Sequence, residues 1–186
     1  MTTATLPLIP QSHSAAVPIA HVVLRILIVL NWLIGVAILA LLVATPNERW
    51  IMSAFKLSPS PEAERLVMGL RAIAVLGLVA VPLTHAVFKR LLAIVETVRS
   101  GSPFVAANAT RLQSVAWVLL ALQLLGLVIA AIAKALSTPA HPIDVDTGFS
   151  VDGCLVVLLT FVLARVFMEG ARIRGHLEGR SEPSLG

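Results

Sequence analysis

Residues 112–133 contain no charged side chain. A bilayer hydrocarbon core about 30 Å thick is crossed by roughly 20 helical residues, so this one stretch is long enough to span it. Residues 26–44 form a second uncharged run, residues 72–87 the apolar centre of a third segment, and residues 151–168 a fourth. A water-soluble chain of 186 residues cannot bury four such segments, because small domains leave a large share of their surface in water. Composition agrees: 58% of residues are hydrophobic and 13% charged, against about 45–50% and about 25% in soluble domains. The expected fold is all-α: a polytopic membrane protein, built as a four-transmembrane-helix bundle with helices 2 and 4 extending into the cytoplasm.

The chain divides into a disordered leader (1–20), one transmembrane domain (21–178) and a loose tail (179–186). The leader carries Pro7, Pro10 and Pro18 and no Lys or Arg. That absence, and the length of the apolar run after it, favour a retained helix over a cleaved signal. Helix 1 is expected over 21–44, stopping at Thr45-Pro46. Residues 47–55 suit a short interfacial helix with Trp50, Met52 and Phe55 at the headgroups. Pro61 and Glu62 open helix 2, expected over 62–98 with Pro82 inside it. Its last turns place Leu91, Leu92 and Val95 on one face, which needs a partner or a membrane surface. Gly101 stops the helix and Pro103-Phe104 turn the chain. Helix 3 is expected over 106–133, and helix 4 over 151–168 with a charged continuation to about 178.

Positive charge sets the orientation. The two termini and the middle connection share one side, which holds nine of the 14 Lys and Arg residues; the other side holds five. The basic side is expected to be cytoplasmic, which leaves the acidic connection with Asp144 and Asp146 outside. The net charge of +4 follows from this bias, and direct contact with nucleic acid is not expected.

Polar residues within the spans are Asn31, Arg71, His85 and Gln123. They serve either as inter-helix hydrogen-bonding groups or as a polar path, and the first reading is favoured. No carboxylate is expected between the ends of any span, which weighs against proton-coupled transport. The five histidines show no metal-ligand spacing, and the Asp144–Asp152 region does not fit a calcium loop. A lone Cys154 forms no internal disulfide. No nucleophile or cofactor motif is present, so no enzyme, catalytic residue, metal or cofactor is expected. On the tail, Arg165, Glu169, Arg172 and His176 form a charged stripe. It is read either as a solvated face with internal ion pairs or as docked on the middle segment through Glu96, Arg99, Asn108 and Arg111. The two halves also share a plan of helix, outer connection and extended helix, which raises the idea of a duplication.

The middle segment reads Gly101-Ser-Pro103-Phe104-Val-Ala-Ala-Asn108-Ala109-Thr-Arg111-Leu112. It resembles the G-x-P-F-x-x-x-N-A-x-R-L signature of the bacterial membrane family known as domain of unknown function 2975. The stretch around Arg165, Glu169, Gly170 and Arg172, and Phe149-Ser150 before helix 4, are similar to that family as well. The chain departs from the family at Val105 and Ala107, where a hydroxyl cap and an acidic residue are usual, so helix 3 starts less well capped. It also has Gly175 and His176 in place of an acidic pair. The resemblance implies four spans in a bacterial inner membrane and no known activity. By analogy it implies a cytoplasmic partner, a small helix-turn-helix regulator. The resulting expectation is a non-enzymatic membrane protein whose cytoplasmic surface, residues 89–113 and 165–178, is the working face. The alternative is a small transporter or channel subunit acting as a homo-oligomer.

Overall fold

The computed structural model describes residues 16–44, 61–101, 105–137 and 150–178. They form four α-helices and no strand: α1 (Ala16–Ala44), α2 (Pro61–Arg99), α3 (Ala106–Leu136) and α4 (Val151–Glu178). Each contains a stretch long and apolar enough to cross a membrane, the mark of a multi-pass membrane protein. The expected interfacial helix at 47–55, the acidic outer connection, Pro103-Phe104 and the tail from 179 fall outside the described residues.

The helix ends follow local rules. α1 begins at Ala16, earlier than expected, so residues 16–20 belong to the helix and not to a leader. Pro18 does not prevent this, because the first four N–H groups of a helix have no acceptor to lose. Pro61 opens α2 for the same reason. α2 runs unbroken through Pro82, and α3 extends to Leu136, one turn further than expected. The Ser150 hydroxyl caps α4, accepting from the Gly153 N–H at 2.9 Å, and Asp152 sits in the first turn, where the helix dipole favours an anion.

The bundle is an open row. α1 packs on α2, α2 on α3 and α3 on α4, and among the described residues no other pair of helices brings Cα atoms within 8 Å. Neighbours are antiparallel. In the α1–α2 seam Trp32 meets His85, Gly35 meets Val81 and Ile38 meets Gly77. In the α2–α3 seam Thr97 pairs with Asn108, and Gly69 lies against Leu136. In the α3–α4 seam Trp117 stacks edge-on against Phe161, and Gly153 lies against Gln123. Small residues at such points let helices approach closely, which gives packing where lipid supplies no hydrophobic drive between them. Leu91, Leu92 and Val95 are half-buried, so the extension of α2 does find cover.

Asn31 ties α1 to α2 by donating from Nδ2 to the Val81 carbonyl at 3.1 Å. Replacing Asn31 by leucine removes this bond and is expected to cost about 1 kcal/mol, read as a small fall in melting temperature in lipid nanodiscs.

Candidate functional site

The most specific sequence motif folds into the connection between α2 and α3. Ser100 N–H closes on the Glu96 carbonyl and Gly101 N–H on the Val98 carbonyl, both at 3.1 Å. Gly101 then takes φ of +81°, the left-handed region that a side chain disfavours. α3 restarts with Val105 as N-cap and no side-chain cap bond, since valine carries no polar group to accept one.

Three side chains and two backbone carbonyls lock the two helices together at this point. Asn108 is 1% exposed, the one buried polar residue among those described. Arg111 donates from Nη1 to Asn108 Oδ1 at 3.0 Å and to the Ala93 carbonyl at 3.3 Å. Asn108 donates from Nδ2 to the Thr97 hydroxyl at 2.7 Å. That hydroxyl has the Ile94 carbonyl at 2.7 Å to donate to. Each donor thus meets an acceptor in turn, running from Arg111 across to the backbone of α2. Ala109 is wholly buried and Leu112 nearly so, which accounts for the small and apolar positions of the motif. The motif residues Asn108, Ala109, Arg111 and Leu112 therefore form a structural clasp. Thr97 completes it and does not stand out in the sequence. Its clue is weak: a threonine four residues ahead of the Gly101 stop.

The clasp changes how the charged tail reads. Asn108 and Arg111 turn toward α2. Arg165, Glu169 and Arg172 on α4 are exposed and make no hydrogen bond or ion pair among the described residues. The three have neither internal ion pairs nor a bond to the middle segment, and Gly170 between them is half-buried. The His176 side chain lies outside the described residues. α4 also projects. Trp117 and Phe161 stand at one level; from there α3 has 11 residues to its start at Ala106 and α4 has 17 to its end at Glu178. At 1.5 Å per residue α4 reaches about 9 Å further.

The intramembrane polar residues separate into different seams. Asn31 and His85 belong to α1–α2, where the His85 ring packs edge-on against Trp32 at 5.6 Å. Gln123 belongs to α3–α4, against Gly153. By the α2–α3 pairing, Gln123 stands within a turn of His85 in depth. Val67 on α2 and Val115, Ala130 and Ala133 on α3 are buried apolar positions. Arg71 is half-buried near the start of α2, level with Lys134 by the Gly69–Leu136 contact. Because Gly153 packs on Gln123, the neighbouring Asp152 begins α4 opposite the middle of α3. About ten residues of α3, roughly 15 Å, separate that level from Lys134. The Asp152 side chain is exposed.

Among the described residues no three His, Cys, Asp or Glu side chains cluster closely enough to hold a metal. Comparison with protein-family models, with curated proteins and with solved structures gives no match for this chain.

Proposed function

We propose that the chain is a non-enzymatic membrane anchor that holds a cytoplasmic protein partner on the projecting end of α4. The observation that carries this reading is the unpaired state of Arg165, Glu169 and Arg172 on a helix that outreaches its neighbours. Ile173, 56% exposed beside them, adds an apolar contact, so the surface combines charge with a hydrophobic point. The resemblance to domain of unknown function 2975 supplies the partner class, a small helix-turn-helix regulator. It also supplies the setting, a bacterial inner membrane. The bias of positive charge supports an orientation with both termini in the cytoplasm.

A photo-crosslinking side chain at position 172 tests the reading in living cells. The expected product is an adduct with a DNA-binding regulator. The same probe at Val162, exposed within the span, is expected to give lipid adducts only. Lipid adducts alone at both positions would sink the proposal.

A second reading has one observation in its favour. Asn31, His85, Gln123 and Asp152 fall at similar depth. A transporter or channel subunit would use them, but as an oligomer, because an open row of four helices encloses no path.

A further inference from the structure

The clasp has a neighbour that it does not use. Arg90 is half-buried, and its Nη1 is shielded yet meets no acceptor among the described residues. Arg90 precedes Ala93 by three residues and Thr97 by seven, so all three share one face of α2. Ala93 and Thr97 are the positions that Arg111 and Asn108 bind. Arg90 and Arg111 therefore stand within about a turn of each other along the same seam. Arg111 makes both of its bonds through Nη1, and its Nη2 and Nε make no hydrogen bond among the described residues. No carboxylate answers either guanidinium. Glu96 and Glu169 are exposed and ion-paired with nothing described. Burying Arg90 Nη1 without an acceptor is costly, and a second guanidinium within a turn adds like-charge repulsion.

Depth says what kind of anion would relieve this. On α3, Lys134 follows Arg111 by 23 residues, about 34 Å of helix. On α2, Arg90 follows Arg71 by 19 residues, about 28 Å. Both lengths match a hydrocarbon core of about 30 Å. With Arg71 and Lys134 at one headgroup layer, Arg90 and Arg111 stand at the phosphate layer of the other leaflet.

We propose that Arg90 and Arg111 grip the phosphate of an anionic phospholipid in the α2–α3 seam. Planar guanidinium donors match phosphate oxygens in pairs, and basic recesses between transmembrane helices suit acidic headgroups. A lipid without a headgroup cation fits better than a zwitterionic one, because a choline would sit beside two arginines. Free phosphate shares the chemistry but not the depth.

The full chain in phosphatidylcholine nanodiscs, with and without phosphatidylglycerol, provides the test. Native mass spectrometry reads retained lipid and a thermal melt reads stabilisation. Phosphatidylglycerol is expected to raise the melting temperature of the wild type. R90Q is expected to melt no lower than wild type in phosphatidylcholine, since it removes a cation that has no partner. It should retain about tenfold less phosphatidylglycerol and lose the temperature rise, while R90K keeps part of both. R99Q, at an exposed site beyond the seam, should behave as wild type. The proposal is overturned if R90Q retains the acidic lipid as well as wild type does. It is equally overturned if R99Q loses as much, which would mean a diffuse surface charge. A temperature rise from inorganic phosphate in phosphatidylcholine discs, equal to that from phosphatidylglycerol, overturns the lipid as ligand.

Discussion

Replacing Asn108 by leucine is expected to lower stability by about 2–4 kcal/mol, the largest loss from any single polar residue among those described. Leucine removes the acceptor of Arg111 and the donor to Thr97 together. Thr97 keeps the Ile94 carbonyl, so its hydroxyl is not stranded. Arg111 keeps only the longer bond to the Ala93 carbonyl, and its charge loses its shorter partner. The site is 1% exposed, so water does not replace what is lost. Thr97→Val should cost less, about 1 kcal/mol, because Asn108 and Arg111 remain bonded to each other. Equilibrium unfolding of the two variants in a bilayer mimetic checks both the size and the order. Equal losses would mean that the clasp does not run through Asn108.

The second large effect is expected at Gly35. A Cβ there would lie 3.0 Å from Val81 Cγ1, and valine is stiff at χ1, so it cannot swing aside. Gly35→Leu should push α1 away from α2 and cost about 1–3 kcal/mol. The cost matters more here than in a closed bundle, because α2 is the only helix that α1 touches among the described residues. The Asn31 bond to the Val81 carbonyl would go with it. Val81→Ala should recover part of the loss, since it removes the atoms in the way. A melt of the single and double variants measures that coupling. Strict additivity would show that the two side chains do not meet.

Gly101 and the Asn108–Leu112 motif stand out in the sequence, but what they do does not. A glycine after a long helix is a local signal, and the helix does stop there at a positive φ. The partners of Asn108 are hidden because they are donors and acceptors on another helix. Thr97 lies 11 residues away across a turn, and nothing in sequence spacing says which face of α2 meets α3. The charged tail shows the same limit. Spacing puts Arg165, Glu169 and Arg172 on one stripe, and only the packing of Asn108 and Arg111 toward α2 shows that the stripe is left unpaired.

Four membrane-length helices and, within a few residues, their ends are legible in the order of residues alone. Those properties are local: apolar length, proline at helix starts, glycine at a stop. The open row of helices, the start of α4 opposite the middle of α3, and the separate seams of Asn31 and Gln123 emerge only from packing. The cause is the solvent. Lipid is as apolar as the protein interior, so these helices are apolar on every side. No contrast between a wet face and a dry one marks which side meets a neighbour. That choice falls to close contacts at Gly35 and Gly153 and to the hydrogen bonds of Asn31, Thr97, Asn108 and Arg111.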